Sequence, residues 1–227
     1  MNVLVIAAHP DDEVLGCGGT IIKHSQQGDV VRVLILAEGA TSRDWTRNRE
    51  TRQTDLSALA KAAHQASEIL EVDSVKLLQF PDNRMDTCDL LDIVKVIEAH
   101  IQEYLPERIY THHLGDLNID HRRISEAVIT AARPIPEHPT KSILFFEVPS
   151  STEWQVATAS LNFNPNWFVD ISNTLNVKLN ALQAYQTEIR SYPHPRSLEA
   201  VEYLARWRGA TVGLQAAEAF VLARYRE

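Results

Sequence analysis

Two uninterrupted apolar runs near the start of the chain restrict its fold more than any other feature. Residues 3–8 and 30–37 consist almost wholly of Val, Ile, Leu and Ala, without alternation between polar and apolar side chains. A strand with one solvated face alternates, whereas a strand covered on both faces does not. The two runs therefore predict strands inside a parallel sheet with helices packed on both sides.

The rest of the chain continues to alternate between strand-like and helix-like segments. Shorter apolar runs lie at residues 74–80, 108–112, 142–148 and 167–171. Segments with apolar residues at helical spacing lie at residues 52–70, 90–104, 122–132, 173–190 and 213–225. This order predicts an α/β fold with a doubly wound, mostly parallel, Rossmann-like sheet and helices on both faces. We expect a single domain over residues 1–227, in which residues 150–227 form a C-terminal cap on the same core.

Composition excludes several classes of protein. The formal net charge of -8 and the lack of a basic stripe argue against a nucleic-acid binder. Cys17 and Cys88 have no paired spacing, so neither a disulfide framework nor a cysteine-type zinc site is expected. The N-terminus lacks the basic segment of a signal peptide, and no apolar stretch approaches the roughly 20 residues that span a bilayer. We therefore expect a cytoplasmic protein without a membrane span, and the sequence leaves open whether it forms a homo-oligomer.

Side chains suited to catalysis or metal binding follow four of the predicted strands directly. Because ligands bind at the carboxyl ends of the strands in open parallel sheets, these residues lie where the fold would place a site. The group comprises His9, Asp11, Asp12, Glu38, Arg43, Asp82, Asn83, Arg84, His112, His113 and Asp116.

The segment AAHPDDEVLGCGGT after the first strand carries the strongest indication of a metal site. Pro10 is tolerated in the first turn of a helix, where its missing N–H is not needed. A helix that begins near His9 would bring His9 and Asp12 to one side and Asp11 to another. One imidazole and one carboxylate could then hold a metal while a second carboxylate stays free. Catalytic zinc sites use three protein ligands, so a third must come from elsewhere.

The third ligand is expected from the segment THHLGDLNIDHRR after the fourth strand. Its donors are His112, His113, Asp116, Asp120 and His121. Each motif alone has an ordinary structural explanation, since an Asp pair after a strand often forms a helix N-cap. Their joint position at the carboxyl ends of two strands of one sheet favours a metal site.

Together these motifs resemble the LmbE-like or PIG-L deacetylases, zinc enzymes that remove acetyl groups from N-acetylglucosamine units of glycoconjugates. AHPDDE and the later Asp-His pair carry the resemblance over residues 1–132, and FEVPSSTEW and PHPRS extend it more loosely to the C-terminus. The resemblance implies one Zn²⁺ per chain held by His9, Asp12 and His121. It also implies that Asp11 is the general base.

One position departs from the family pattern. Many members carry a second His three residues before the ligand His, where this chain has Asn118. The resemblance gives that position a role in stabilising the tetrahedral intermediate, and Asn118 could donate a hydrogen bond but could not act as an acid. A separate general acid would have to be His194, His112 or His113, unless Asp11 acts first as base and then as acid.

Two further features each have a functional and a structural interpretation. Asp120 either orients a metal-binding imidazole or caps the helix that follows it. Gly16, Gly18 and Gly19 match neither of the nucleotide-binding glycine patterns. We interpret these glycines as small residues that let the first helix pack closely on the sheet.

Arginines and one tryptophan in three polar loops are candidates for substrate binding. Arg84 in FPDNRMD and Arg196 in PHPRS would suit a phosphate or carboxylate on the substrate, because a guanidinium binds such anions in a planar fork. Arg43 and Trp45 lie in SRDWTRNRETR, where Trp45 could stack on a sugar ring. A solvated, charged loop is the alternative for the arginines of that segment.

The sequence thus predicts a zinc-dependent hydrolase that removes the N-acetyl group from a small-molecule amino sugar. The chain could instead be an amidase that cleaves a larger amide of a thiol-sugar conjugate, a non-catalytic sugar-binding or nucleotide-binding domain, or a Rossmann nucleotide binder. The intact set His9, Asp11, Asp12 and His121 argues against a non-catalytic domain. The missing glycine fingerprint argues against a Rossmann nucleotide binder.

Overall fold

The computed structural model describes residues 1–227 and places seven strands in one sheet flanked by six α-helices. The strands are β1 (Asn2–Ala7), β2 (Val30–Ala37), β3 (Ser74–Phe80), β4 (Arg108–His112), β5 (Ser142–Phe146), β6 (Trp167–Asp170) and β7 (Ala217–Tyr225). The helices are α1 (Asp12–Gln26), α2 (Gln53–Ile69), α3 (Leu90–Tyr104), α4 (Ile119–Ala131), α5 (Leu175–Leu182) and α6 (Leu198–Ala210). None of these helices combines the length and the apolar character needed to cross a membrane.

The strands are ordered β3-β2-β1-β4-β5-β7-β6 in the sheet. Neighbouring strands from β3 to β5 run parallel, and β7 enters antiparallel between β5 and β6. The expected doubly wound, mostly parallel sheet is confirmed, with an antiparallel strand added near one edge.

The order of the strands creates a crevice between β1 and β4. From β1 the chain moves outward through β2 to β3 and then returns to β4 on the other side of β1. The loops that leave β1 and β4 therefore diverge, which is the position where open α/β sheets bind ligands. Both predicted metal motifs lie in these two loops.

Apolar layers cover both faces of the sheet, as the non-alternating runs predict. Along β1, Val3 and Val5 belong to one buried cluster, whereas Leu4 and Ile6 belong to another. None of these four side chains is more than 2% exposed. The loop that leaves β1 therefore starts from a strand that is packed rigidly on both sides.

The sequence-based prediction of a helix over residues 213–225 is wrong. Residues 217–225 form β7, which pairs with both β5 and β6. The segment AEAFVLARY is rich in residues that favour helices, but pairing with two strands distant in sequence overrides that preference. The helix expected over residues 173–190 is shorter, at Leu175–Leu182, and α6 has no counterpart among the predicted helices.

Residues 150–227 share the sheet and the core of the preceding part. They contribute β6 and β7 to the sheet, and α5 packs against α1 while α6 packs against α5 and β7. Loops of this region thereby lie close to the first turn of α1, where the predicted metal ligands begin.

The first helix approaches the sheet closely at a glycine. α1 is kinked at Cys17, whose φ of -150° and ψ of 24° are not helical. A Cβ added to Gly16 would overlap the ring of Phe146 on β5, and one added to Gly19 would lie 2.9 Å from Ile171 side-chain atoms. These contacts support the interpretation of both glycines as packing residues.

Gly16→Ala is therefore expected to lower the free energy of unfolding by about 1–3 kcal/mol, as overpacking does, even though Ala favours helices more than Gly. Chemical denaturation measures the change. Adding Phe146→Leu should recover part of the loss, because it removes ring atoms that the new methyl group meets. A Gly16→Ala protein as stable as the parent would contradict this account of the helix–sheet contact.

Candidate metal centre

The loop that leaves β1 holds Asp11 in an unusual backbone conformation. Asp11 has a φ of 117° and precedes Asp12, the first residue of α1. Such a conformation of a non-glycine residue costs about 1–3 kcal/mol and persists where neighbouring groups hold it. The Asp11 N–H donates to Glu13 Oε2 at 3.1 Å, and Glu13 Oε1 accepts from Tyr185 Oη at 2.5 Å. The turn is therefore held by a side chain of α1 and by one from the C-terminal region.

Three donor atoms converge at the crevice between β1 and β4, from His9 in the loop after β1, Asp12 at the start of α1 and His121 in the first turn of α4. His9 Nδ1 and His121 Nε2 each lie 3.1 Å from Asp12 Oδ2. One ligand atom from each of these side chains lies within 4.8 Å of the other two. Asp12 Oδ1 and His121 Nε2 are buried without a hydrogen-bond partner, although buried polar atoms normally have one. The set therefore fits a metal cation, which would satisfy both atoms.

The carboxylate of Asp120 contacts the second ring nitrogen of His9, Nε2. His9 Nε2 lies 3.0 Å from Asp120 Oδ2 and 3.3 Å from Asp82 Oδ1. Asp120 is itself held by the N–H groups of Asn83 and Met85, at 2.6 and 2.9 Å. A metal-binding imidazole commonly donates its second N–H to a carboxylate, which sets the direction of the ring. His9 is thus turned so that Nδ1 faces the other donors.

The N-cap of α4 is Asn118 and not Asp120. Asn118 Oδ1 accepts from the Asp120 N–H at 2.8 Å. Asn118 Nδ2 donates to Asn83 Oδ1 at 2.7 Å. Of the two interpretations of Asp120, the contacts support the one in which its carboxylate orients an imidazole, and that imidazole is His9.

His121 is oriented by a carboxylate from its own loop. Asp116 Oδ1 lies 3.1 Å from His121 Nδ1, which leaves Nε2 to face the cation site. Asp116 also accepts from Thr152 Oγ1 at 2.6 Å and from Ser151 Oγ. The sequence presents Asp116 as a candidate ligand, whereas the structure places it behind the imidazole as the group that holds the ring.

The two adjacent histidines at the end of β4 lie outside the donor set. His112 Nε2 accepts from the Ala8 N–H at 2.8 Å, and its ring stacks on that of His121 with 3.8 Å between centroids. Burial holds the pKa of His112 well below its ordinary value, so the ring is neutral and can accept that hydrogen bond. His113 Nε2 lies 3.3 Å from the carbonyl oxygen of Leu161. His112 therefore supports His121 as a flat packing surface.

Buried carboxylates raise the pKa of both imidazoles when no metal is bound. Burial lowers the pKa of His121, but Asp12 and Asp116 outweigh this effect and raise it to about 9. Burial likewise lowers the pKa of His9, but hydrogen bonds to Asp12 and Asp120 raise it well above its ordinary value. Protonation of these imidazoles is thus favoured by the same negative charge that would attract a cation.

Asp11 pairs with an arginine from the C-terminal region. Arg196 Nη1 donates to Asp11 Oδ2 at 2.9 Å, and Arg196 Nε donates to Ser150 Oγ at 2.7 Å. Burial raises the pKa of Asp11 well above its ordinary value, and Arg196 opposes that shift. Asp11 is therefore a carboxylate beside the donor set but outside it. His194 Nδ1 accepts from the Arg196 N–H at 3.0 Å, which makes Nε2 the protonated nitrogen of the neutral ring.

The remaining predicted substrate residues lie in the loops after β2 and β3. Arg43 Nη2 lies 2.7 Å from Glu188 Oε1, and Arg84 Nη2 donates to the carbonyl oxygen of Trp45 at 2.9 Å. The Trp45 side chain itself projects into solvent. The structure thus brings the three donors, Asp11 and Arg196 together. The roles of Arg43, Arg84 and Trp45 toward a substrate stay predictions.

Four side chains that hold the site were not identified from the sequence. Glu13 stands in the AHPDDE motif, where its only signal is its position in the first turn of α1. Ser151 and Thr152 lie in the FEVPSSTEW segment, which carries the resemblance without indicating a role for either residue, and Tyr185 carries no local signal. All three reach the site only through the folding of the C-terminal region.

Comparison with known proteins identifies a related family and related folds. The family described as PIG-L: GlcNAc-PI de-N-acetylase matches residues 4–132. A deacetylase of Escherichia coli (strain K12), YaiS, is 29% identical over 192 residues, which cover 82% of this chain and 91% of that protein. The diacetylchitobiose deacetylase of Thermococcus kodakarensis is 30% identical over 200 residues, covering 82% and 70%. The solved structure of N,N'-diacetylchitobiose deacetylase from Pyrococcus horikoshii has a TM-score of 0.77 at 20% identity, covering 98% of this chain and 84% of that one.

One relative catalyses a different reaction. The 4-oxalmesaconate hydratase of Pseudomonas putida is 26% identical over 197 residues, covering 80% of this chain and 72% of that protein. Similarity alone therefore does not select a reaction, and the chemistry of the site has to be considered beside it.

Asp116→Asn is expected to weaken zinc binding by about 10- to 100-fold, because the amide lacks the charge that holds the His121 imidazole in place. Competition with a chromophoric chelator measures the dissociation constant. Asp86→Asn, which changes an exposed carboxylate, is the matched control and should bind zinc like the parent. Circular dichroism checks that both variants fold. Equal affinities in the two variants would show that Asp116 does not orient the ligand.

Zinc affinity is expected to rise with pH between 7 and 9. His121 has a pKa of about 9 in the metal-free protein. Because zinc binds the neutral imidazole, binding below that pH must displace a proton, and affinity should change at least about tenfold per pH unit. Calorimetry in buffers of different ionisation enthalpy counts the protons released. Affinity that does not change from pH 7 to 9 would contradict the protonated state of the free site.

Proposed function

The chain belongs to the PIG-L family of de-N-acetylases, and we propose that it is a zinc-dependent hydrolase that removes the acetyl group from an N-acetylated amino sugar. The amino-sugar substrate is supported by the family description and by the similarity to a diacetylchitobiose deacetylase. Release of a larger acyl group from a thiol-sugar conjugate is the alternative within the same chemistry.

The observation that carries the proposal is a free carboxylate beside a three-donor set. His9, Asp12 and His121 each present one ligand atom, while the carboxylate of Asp11 faces Arg196 instead. Two imidazoles and one carboxylate are a common zinc ligand set in hydrolases. The adjacent base and the ligands therefore have the composition that metal-assisted amide hydrolysis requires.

Amide hydrolysis adds water across the C–N bond and yields acetate and a free amine. Zinc held by His9, Asp12 and His121 would supply Lewis acidity toward water and the acetyl carbonyl. Asp11 accepts a proton from the attacking water, and burial, which raises the pKa of Asp11, makes this carboxylate a stronger base. Arg196 keeps the Asp11 carboxylate in position through the contact at 2.9 Å.

The nitrogen of the leaving amine must also receive a proton, either the one that Asp11 took from water or one from another group. Asp11 can return the proton that it took, acting first as base and then as acid. His194 is the second candidate, because its Nε2–H has no hydrogen-bond partner and its Nδ1 is tied to Arg196. His112 and His113 are less suited, since the former packs beneath His121 and the latter contacts Leu161.

Asp120 and Asn118 complete the proposed catalytic group. Asp120 contributes by holding His9 through Nε2 at 3.0 Å. Asn118 would stabilise developing negative charge on the acetyl oxygen with its amide N–H, once Nδ2 turns away from Asn83 Oδ1. Arg84, Arg196, Arg43 and Trp45 are the proposed contacts to the substrate beyond the acetyl group.

Acetate release from the zinc-loaded protein tests the proposal. Free, nucleotide-linked and lipid-linked N-acetylglucosamine are compared, and acetate and free amine are both quantified. Equal amounts of the two products support deacetylation. Hydration of 4-oxalmesaconate is measured on the same preparation, as a test for the other reaction found among the relatives. Hydration without acetate release from any sugar would overturn the proposal.

Asp11→Asn should retain zinc and lower kcat by about 100-fold or more, the size expected when a positioned base is lost. The substitution is nearly isosteric, but the amide cannot accept the water proton. Zinc content and kcat are measured on the same sample. If kcat stays near that of the parent with zinc bound, Asp11 is not the base.

His121→Ala should lose both zinc and acetate release, because it removes a ligand whose Nε2 faces Asp12 at 3.1 Å. His113→Ala is the matched control. Its ring packs against Phe145 and Phe163 outside the donor set, so zinc occupancy should persist. Full zinc occupancy in His121→Ala, measured by elemental analysis, would show that the ligand assignment is wrong.

A further inference from the structure

The kink in α1 frees backbone groups that an ordinary helix would pair with one another. Cys17 divides α1 into a first segment, residues 12–16, and a second segment, residues 18–26. In an unbroken helix each N–H donates to the carbonyl oxygen four residues before it, so the Gly19 N–H would pair with Leu15. Buried backbone groups without a partner are strongly unfavourable. Other groups must therefore satisfy those at the kink.

One ion pair from the C-terminal region satisfies the freed groups. Glu218 on β7 accepts the Gly19 N–H at 2.9 Å and the Thr20 N–H at 2.7 Å, one with each carboxylate oxygen. Lys178 Nζ, on α5, donates to the Leu15 carbonyl oxygen at 2.8 Å and to Glu218 Oε1 at 2.6 Å. The carboxylate thus caps the start of the second segment, while the ammonium caps the end of the first, each with the sign of charge that a helix end favours.

Both charges of this pair are almost fully buried. The side chains of Lys178 and Glu218 are 4% and 3% exposed. A Cβ added to Gly18 would lie 3.3 Å from Lys178 Cγ, a tighter contact than packed carbon atoms usually make, so this glycine leaves the room that Lys178 needs. Because two buried charges lose their hydration, such a pair adds little net stability over apolar residues of similar size. Stability alone is therefore a weak explanation for a pair whose four hydrogen bonds fix the path of a helix.

The first segment carries a ligand of the candidate site. It begins at Asp12, one of the three donors, and is little more than one turn long. So short a helix has no stability of its own, so its direction is set at its two ends, by the loop after β1 and by the kink. His121 lies on α4 and is oriented separately by Asp116. A different kink would therefore move the Asp12 carboxylate relative to His121.

We propose that Lys178 and Glu218 are positioning residues of the candidate site, which cap the two segments of α1 at the kink and so aim the first segment to place Asp12 against His121. The inference rests on the proposed function in one respect, that the donor set holds zinc. The pair acts through the backbone of α1. Without it, α1 regains stability by straightening and pairing the Gly19 N–H with Leu15, which displaces Asp12.

Removal of both charges together tests the inference on the full chain. Lys178→Met/Glu218→Leu leaves no unpaired buried charge, so the variant is expected to fold, whereas removal of one charge would leave the other without its partner. The dissociation constant for zinc, measured by competition with a chromophoric chelator, should rise about 10- to 100-fold, as when other groups that orient metal ligands are lost. The visible absorption spectrum of the cobalt-substituted protein should also change, because it depends on the geometry of the ligands.

Glu218→Gln is measured beside the double variant as the conservative substitution. It keeps the shape of the side chain and one oxygen that can accept an N–H of the kink. It is expected to weaken zinc binding in the same direction but by a smaller factor than Lys178→Met/Glu218→Leu. Circular dichroism checks that each variant folds, so a folding failure of the double variant leaves Glu218→Gln to decide.

A second ion pair of the same region is the matched control. Arg208 on α6 makes two contacts of 2.7 Å with Glu147, which follows β5. Both residues line the same small cavity as Lys178 and Glu218, but neither side chain hydrogen-bonds to α1. Glu147→Leu/Arg208→Met should therefore bind zinc like the parent and keep the parent cobalt spectrum. Thermal unfolding of both double variants separates lost stability from changed ligand geometry.

The outcomes separate this inference from the proposed function. Zinc affinity and a cobalt spectrum like those of the parent, in folded Lys178→Met/Glu218→Leu or in Glu218→Gln if the former does not fold, would overturn the inference. Equal losses of affinity in the two double variants would overturn it as well, because they would reflect general loosening of the C-terminal region. Acetate release by the parent protein leaves the proposed function in place in both cases. A parent that binds zinc but releases no acetate defeats the proposed function and not the inference, and a parent that binds no zinc defeats both.

Discussion

Buried carboxylates and imidazoles alternate in a row at the centre of the molecule. Asp120, His9, Asp12, His121 and Asp116 follow one another with nitrogen–oxygen distances of 3.0, 3.1, 3.1 and 3.1 Å. Burial of an unpaired charge would be strongly unfavourable. The stability of the row therefore depends on the balance between its negative and positive groups. Two protonated imidazoles and one divalent cation with neutral imidazoles supply the same positive charge. Exchange of two protons for a metal would therefore leave the charge of the row unchanged.

The topology of the sheet explains how residues so distant in sequence form one row. His9 and Asp12 leave β1, and His121 begins α4 after the loop that leaves β4, on the two sides of the crevice. β1 is packed on both faces, and its neighbour β4 is paired with β5 along its length. The ligands therefore start from rigid supports, which keeps them close together before a cation binds.

The C-terminal region completes the site by supplying the groups that hold it. Ser151 and Thr152 donate to Asp116, Tyr185 donates to the Glu13 carboxylate beside Asp11, and Arg196 pairs with Asp11 itself. The Asp11 backbone would relax from its positive φ without such contacts. Stability of the C-terminal region and geometry of the proposed base are consequently linked, although the predicted ligands lie in the first 132 residues of the chain.

Apolar patterning and motif position alone predict the double-sided burial of β1 and β2 and a site at the carboxyl ends of the strands. They also limit the candidate donors to two segments, and the family resemblance selects His9, Asp12 and His121 among them. The burial of the strands is predictable because a single segment encodes local apolar patterning, and His9 and Asp12 are predictable together because they lie three residues apart. The three-dimensional fold is needed to show that residues 217–225 form β7, that Asp116 and Asp120 each contact an imidazole, and that Arg196 faces Asp11. Most of these outcomes depend on partners far apart in sequence, up to 185 residues for Asp11 and Arg196. Their approach is set by strand pairing and helix packing, and no local pattern records it.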